Sequence, residues 1–372
     1  MASKHSVLER YSEGAQDRQP DLCCPVDYDS SLLALLPQEI IDKDYGCGDP
    51  SRYVRKGDIV LDLGAGSGKI CYMAAQIVGK NGQVIGLDMN DDMLTLARKY
   101  QPEMESKLGD DRVKFVKGLI QDLTVDLEAM DKHLAEHPVT DSASLTHLQS
   151  WQVNQSKQVP LIKDNSIDLV VSNCVLNLVQ DSEKNKMINE IFRVVKPGGR
   201  VAISDIISDE HVPDHLKADP TLWSGCISGA LQEEEMLIAF VDAGFVAVSY
   251  DKWESEPWQV VEGIEFRSAT ITGIKPKEDP CLDVGHAVIY RGPYSKVYDD
   301  EGHVYPRGQR IATCQRSYEL LIKSVYREDF IGITPRKLKP EVNWCSPAGT
   351  LRPASETKGA IHKGDASNTT CC

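Results

Sequence analysis

Long apolar runs are missing from this 372-residue chain. Nothing in it approaches the roughly 18 consecutive apolar residues of a membrane-spanning helix, so no membrane partner is expected. A surplus of positive charge is missing too. The 41 basic residues are outnumbered by 56 acidic ones, giving a formal net charge of −15. Neutralising nucleic-acid phosphates requires a basic face, so duplex binding is not expected. The opening "MASKHSVLERYSEGAQDRQ" lacks the apolar core of a signal peptide and mixes acids with bases, which predicts a cytoplasmic protein. Zinc-ribbon spacing is also absent, because none of the 11 cysteines forms a CxxC.

Those cysteines are the first positive signal. In a reducing compartment they point to thiolate chemistry or soft-ligand binding rather than a disulfide framework. An odd number also argues against a simple set of paired bridges.

Residues 1–56 read as a helical and loop segment, and a βαβ rhythm begins at Asp58. "IVLDLGAGSGK" is a strand ending in a glycine-rich turn, followed by the helical "ICYMAAQIVG". "GQVIGLDMN" is a second strand ending in an acid, and "VKFVKGLIQDL" a third with its turn. The polar stretch 124–158 interrupts the rhythm and reads as an insertion of loops and short helix. "DLVVSNCVLNLV" restores it with a strand that stops at Cys174. A helix over 182–195 ends at "KPGG", and "RVAISDI" supplies a fifth strand. Strands alternating with helices predict an α/β, doubly wound, Rossmann-like sheet over 57–254. Short strands and turn signals predict a small C-terminal α+β appendage, β-rich, over 255–334. The Pro-, Ser- and Lys-rich tail 335–372 reads as disordered.

Asp62 precedes glycines at 64, 66 and 68, and Asp88 ends the next strand, where it can accept both hydroxyls of a ribose. A lone glycine fingerprint is shared with dinucleotide-binding proteins. The acid before the glycines, the "GLIQDL" turn and the "VVKPGG" before the fifth strand tilt the reading to S-adenosylmethionine. The candidate cofactor residues are therefore Asp62, Gly64, Ala65, Gly66, Gly68, Asp88, Met89, Ile120, Gln121 and Asn173. Gln121 or Asp122 can meet an adenine amine, and Asn173 can orient either the methionine end of the donor or the adjoining loop.

Ligands of an open α/β sheet bind outside the carboxyl ends of its strands, and Cys174 stands at such an end. Cys71 opens the helix after the glycine loop and is predicted to face the same crevice. Cys226 and the glycine-flanked Cys47 can fold over it. A crevice of thiols suits a soft acceptor. A trivalent metalloid bound by sulfur keeps a lone pair for in-line attack on a sulfonium methyl, so the acceptor itself needs no base.

"YGCGDP", "GSGKICY", "VVSNCVLNLV" and "DPTLWSGCISGAL" resemble the arsenite S-adenosylmethionine methyltransferases, members of the class I methyltransferase superfamily, from about Asp44 to Phe330. The chain departs from them at Ile70, where an acid is common, and at Gln232 and Glu233, where aromatic residues are usual. The resemblance implies that Cys174 and Cys226 bind As(III) with Cys71 as a third thiol, and that Cys47 pairs with Cys71 in redox turnover. It further implies arsenite, its glutathione conjugate or methylarsenite as substrate, and a thiol reductant such as glutathione or thioredoxin as co-substrate. A monomer serving arsenic detoxification is expected. Two other readings are a methyltransferase of a quinone- or sterol-like carbon or oxygen acceptor, and a thiol-rich protein that only binds As(III). Cys281 and Cys314 read as core residues of the appendage. His133, His137 and His147 show no metal-ligand spacing.

Overall fold

Strands buried on both faces read as near-continuous apolar runs, and the sequence supplies these at 59–61 and 169–171. A computed structural model describes residues 2–19, 26–335, 340–344 and 346–357. Cys23, Cys24, Cys345, Cys371 and Cys372 lie outside them. The chain divides into two compact units, Met1–Pro276 and Lys277–Cys372.

The strands of the first unit are β1 (Ile59–Leu63), β2 (Gln83–Asp88), β3 (Val113–Lys117), β4 (Ile167–Asn173), β5 (Val195–Ser208), β6 (Leu231–Gln232), β7 (Val246–Trp253), β8 (Gln259–Val261) and β9 (Ile264–Ile274). They form one sheet ordered β3-β2-β1-β4-β5-β9-β7, with β6 beside β5 and β8 beside β9. β1 runs parallel to both β2 and β4, with Leu63 opposite Leu87 on one side and Ser172 on the other. The winding reverses between β1 and β4, which opens a crevice at their carboxyl ends.

Helices cover both faces. Leu61, Leu63 and Val170 pack with Met187, Ile191 and Phe240 on one face. Val60, Leu169 and Val171 pack with Tyr72, Leu94 and Ala97 on the other. The period-two division follows from the pleat.

Four expectations are corrected. The appendage was placed from 255, yet β9 pairs antiparallel with β5 from Arg200↔Ile274 to Ser208↔Phe266. Its mostly buried side chains cover an edge of β5 that would otherwise be unpaired, so the first unit extends to Pro276. "KPGG" lies inside β5 rather than in a helix-ending turn. Pairing jumps from Ile167↔Val195 to Leu169↔Arg200, so these residues bulge. The insertion is two helices, Leu127–Glu136 and Ser142–Gln158, each capped by an aspartate side chain, Asp126 and Asp141. His133 stacks on Trp151 at 4.5 Å and on His137 at 4.6 Å between these helices. The tail is partly ordered, because Val342–Asn343 pairs with Leu282–Asp283; the rest of that expectation concerns 336–339, 345 and 358–372, outside the described residues.

The second unit has the expected α+β character. Ala287–Tyr290 lies between Arg310–Ala312 and Phe330–Ile333 in an antiparallel sheet. The helix Gln315–Lys323 contributes Tyr318 and Leu321 to a core with Val288, Tyr305 and Phe330.

Gly86 in β2 faces the helix Lys69–Val78, and a Cβ there would meet Cys71 Sγ and Phe115 at 2.7 Å each. Gly86→Ala is expected to cost about 1–3 kcal/mol by overpacking, measured as a lower denaturant midpoint at unchanged slope.

Candidate active site

The loop after β1 is fixed to the end of β2. The N–H groups of Gly64 and Ala65 donate to Leu87 O at 2.8 and 2.9 Å. Gly66 N donates to Asp88 Oδ2 at 2.8 Å, and Asn90 N to Asp88 Oδ1 at 2.9 Å. Each Asp88 oxygen keeps a lone pair for a sugar hydroxyl. A Cβ on Gly66 would have nothing nearer than Gly64 O at 4.0 Å, so the missing side chain leaves a cradle.

A cavity opens over this loop. Asp62, Gly64, Ala65, Gly66, Asp88, Met89, Ile120, Gln121 and Asn173 all line it, together with Cys174. Its acids suit a cationic ligand, while Met89 and Ile120 offer apolar surface to a flat ring. S-adenosylmethionine fits this set: cradle, ribose acid, ring walls and carboxylates for a sulfonium. Gly68 is the exception among the candidates. It caps the helix Lys69–Val78, and its open side faces Phe115 at 2.9 Å. Between Gln121 and Asp122 the geometry selects Gln121. The Asp122 carboxylate accepts from Lys186 Nζ at 2.8 Å and Thr124 Oγ1 at 2.6 Å.

Three thiol residues meet beside the cavity. Cys47, Cys174 and Cys226 share a nest with Ile206, Ile227 and Phe266. Cys47 and Cys174 are joined as a disulfide, and Cys226 Sγ donates to Cys174 O at 3.2 Å. Cys71 is not among them. Its side chain turns into the core, fully buried, and donates to Asp62 Oδ2 at 3.1 Å. The expected third ligand and the expected Cys47–Cys71 pair are therefore corrected. The first turn of the helix after the glycine loop presents Ile70 to the cavity and directs Cys71 at the sheet. Burial and the Asp62 carboxylate raise the Cys71 thiol well above its ordinary range, and burial pushes Asp62 up to about 7.

Asn173 builds the nest. Its Oδ1 accepts from Cys47 N at 2.9 Å and Gly48 N at 3.0 Å, while its Nδ2 donates to Gly48 O at 2.8 Å. Of its two expected roles, the amide takes the one that orients the loop. The glycines around Cys47 permit this close approach. A Cβ on Gly46 would fall 2.0 Å from Asn173 Nδ2, and one on Gly48 2.5 Å from Ser204. Ser268 Oγ completes the hold by donating to Cys47 O at 2.6 Å. Cys174 and Cys226 have φ of +59° and +61°, each at a cost of about 1–2 kcal/mol for an L-residue.

Two functional groups escaped the sequence reading. Asp205, in β5, is wholly buried and offers a carboxylate oxygen within 4.8 Å of the Cys47 and Cys174 sulfurs. Burial pushes it up to about 7, against the N–H groups of Ile206, Asn177 and Leu176. An acid inside the apolar "VAISDIIS" was a legible signal. Tyr11, on the helix Ala2–Gln16, lines the cavity and places its hydroxyl 3.8 Å from Cys226 Sγ. No motif marked it. That helix is tied down by Asn90 Nδ2, which donates to Ser12 Oγ at 3.1 Å, and by Arg10, which donates to Ser224 Oγ at 3.0 Å.

Known proteins resemble the chain along most of its length. A family model described as a methyltransferase domain matches residues 54–149 and 147–244, and one of a domain of unknown function matches 277–362. An arsenite methyltransferase of Aquipseudomonas alcaligenes is 29% identical over 85% of this chain and 87% of its own. One from Halobacterium salinarum is 34% identical over 64% of this chain and 52% of its own. The crystal structure of an arsenic (III) S-adenosylmethionine methyltransferase from Chlamydomonas reinhardtii superposes with a TM-score of 0.56 at 26% identity, covering 87% of this chain and all of that one.

Asn173→Ala strands the buried N–H groups of Cys47 and Gly48. It is expected to cost about 1–3 kcal/mol and to slow closure of the Cys47–Cys174 disulfide, read by denaturation and by thiol mapping during oxidation.

Proposed function

This chain belongs to the methyltransferase-domain family, and from that premise we propose that it is an arsenite methyltransferase, moving a methyl group from S-adenosylmethionine to trivalent arsenic held by Cys174, Cys226 and Cys47. One observation carries the assignment of ligands. Cys174 is both a wall of the donor cavity and a member of the three-thiol nest.

The bound donor supplies an electrophilic methyl on a sulfonium. The chain's own residues do the rest. Asp88 and the glycine loop seat the ribose, Ile120 and Gln121 meet the base, and the Asp62 carboxyl faces the cationic end. The thiols hold arsenic with its lone pair free, so positioning accounts for most of the acceleration. Asp205 handles protons during capture. Each As–OH that exchanges for As–S releases water, and a carboxylate near pH 7 can take the thiol proton and return it to the departing hydroxyl.

Transfer through the lone pair leaves arsenic formally pentavalent. Cys47 and Cys174 can return two electrons by closing their disulfide, which withdraws both sulfurs and restores trivalent arsenic; the vacated valence is filled by water, with loss of a proton, or by a thiol of the reductant. Glutathione or a thioredoxin-type protein then reopens the pair by thiol exchange. Arsenite arrives as a glutathione conjugate or free, and methylarsenite follows it as a substrate. We place the enzyme as a monomer in the cytoplasm, where such reductants keep thiols open. Among the described residues no helix is long and apolar enough to cross a membrane.

Reduced protein incubated with S-adenosylmethionine, arsenite and glutathione is expected to yield methylated arsenic on speciation. Cys174→Ser and Cys226→Ser should each lower the rate at least about 100-fold. Cys71→Ser should leave the stoichiometry of arsenite binding unchanged. Methylation that survives Cys174→Ser would sink the thiol-bound acceptor.

Because the carboxylate form of Asp205 is the active one, its raised pKa predicts a rate of arsenite capture that climbs with pH through about 7. Asp205→Asn is expected to flatten that limb and lower the plateau by about 10–100-fold, measured by stopped-flow binding across pH 5.5–9, a window of about two units on either side of that pKa.

A further inference from the structure

The helix Ala2–Gln16 joins the two halves of the site. On the donor side, Asn90 stands just after the ribose acid, and its Nδ2 donates to Leu8 O at 3.3 Å and to Ser12 Oγ at 3.1 Å. On the acceptor side, Arg10 Nη1 donates to Thr221 O and Ser224 Oγ at 3.0 Å each, in the helix Pro220–Ser224 that leads to Cys226. A third tie comes from Tyr45, close to Cys47 in the chain, whose hydroxyl donates to Gly14 O at 2.9 Å. Tyr11 sits among these ties. Its ring meets Tyr45 edge to face at 6.1 Å, its side chain lines the donor cavity, and its hydroxyl lies 3.8 Å from Cys226 Sγ.

The direction of that last contact follows from a proton count. A thiol has one proton, and Cys226 directs it to Cys174 O at 3.2 Å. Towards Tyr11 the sulfur can therefore only accept, and the hydroxyl donates. The two neighbours favour opposite states of the sulfur. The Cys174 carbonyl favours the thiol, and the Tyr11 hydroxyl favours the thiolate. Burial and the Cys226 sulfur hold Tyr11 well above the ordinary range of a phenol, so it keeps its proton. The charged and titratable groups facing the pair are Arg10 on the same helix, Asp205 of β5, and Cys47 and Cys174 of the nest. Lys184, from the helix Asp181–Val194, acts on Asp205, and Glu183 beside it lines the cavity.

Of the three nest thiols, only Cys174 lines the donor cavity itself. Tyr11 is the wall residue that touches Cys226. We propose that Tyr11 is a positioning residue for methyl transfer: its un-ionised hydroxyl donates to the Cys226 sulfur, favours the thiolate that captures arsenic, and holds the loaded sulfur against the donor cavity. What Cys226 captures rests on the methyl-transfer reading; the coupling of hydroxyl to sulfur does not. Capture exchanges an As–OH bond for an As–S bond, and the thiol proton leaves with the hydroxyl as water. Tyr11 gives up no proton in that step.

Tyr11→Phe removes the hydroxyl and spares the ring. Full-length protein with the Cys47–Cys174 disulfide closed is titrated, and the Cys226 thiolate is read in two ways. One is alkylation by iodoacetamide mapped to the Cys226 peptide; the other is ultraviolet absorbance by difference from Cys226→Ser in the same background, which needs no access to the sulfur. The midpoint is expected to rise by about one to two units in Tyr11→Phe, because a hydrogen bond to a charged acceptor is lost. In reduced protein, arsenite capture near neutral pH should slow about tenfold, with KM for S-adenosylmethionine unchanged because the ring still lines the cavity. Tyr11→Leu should show the same shift and raise that KM as well. An unchanged midpoint in Tyr11→Phe overturns the proposal. So does a loss confined to Tyr11→Leu, which would make Tyr11 a packing residue. A shifted midpoint with no methylated arsenic from wild type would overturn the activity alone and leave the hydroxyl–sulfur coupling standing.

Discussion

The carboxamide of Asn173 is the interaction on which the thiol site depends. Cys47 and Cys174 are 127 residues apart in sequence, and the first belongs to a loop with no sheet partners of its own. Oδ1 and Nδ2 of Asn173 take up two N–H groups and a carbonyl of that loop. A side chain at the carboxyl end of β4 thus substitutes for a neighbouring strand. The location follows from topology: the winding reverses between β1 and β4, so this edge opens onto a crevice rather than a crossing helix. Glycines at 46 and 48 are the steric condition for the clamp, since either Cβ would collide with its neighbours.

Burial sets the chemistry of the site in two places. Around the donor cavity, Asp62 and Asp88 are shielded from water, and burial raises both. A sulfonium or ammonium brought beside them would stabilise their charged forms, so donor binding is coupled to proton release from the wall it meets. Beside the thiols, the same burial leaves Asp205 near neutrality instead of fully ionised. Meanwhile the left-handed backbone at Cys174 and Cys226 is held by surrounding contacts. Cys174 N donates to Ser204 O at 2.8 Å, and Asn177 Nδ2 donates to Cys226 O at 3.1 Å. Two strained cysteines in one nest fit the rule that strain persists where the structure around it over-determines the geometry.

Much of this was legible in order along the chain. The glycine loop, the ribose acid and the cysteine closing β4 are local patterns, and local patterns survive without knowledge of tertiary partners. Cys71 was misplaced for a reason of phase. Spacing from Gly68 puts it in the first turn of the helix, but which side of that turn meets the cavity depends on how the helix lies on the sheet, and Ile70 takes that side. The strand β9 reads as part of an appendage because its partner, β5, lies more than fifty residues upstream, and nothing in "IEFRSATITGI" names that partner. The helical content of the insertion was concealed by polar residues, since neither of its helices has a buried face to impose a period. Cys314 reads as core and is buried, whereas Cys281 is partly exposed.

On the proposed function, sharing Cys174 between two duties imposes an order of events. A sulfur in the Cys47 disulfide has no lone valence for arsenic, and a sulfur bound to arsenic cannot close that disulfide. The oxidised and loaded states are therefore exclusive, and in the proposed cycle the disulfide is reduced before substrate enters. The same exclusion gives direction to the cycle. While arsenic is trivalent, the thiols are its best ligands in a nest lined with apolar groups. Once methyl transfer has left it electron-poor, disulfide closure removes two of its sulfurs and supplies two electrons in one step. Capture and release then use the same atoms, distinguished only by the oxidation state of the metalloid. Cys226 is outside the disulfide, so its sulfur alone remains to hold the product until exchange frees it.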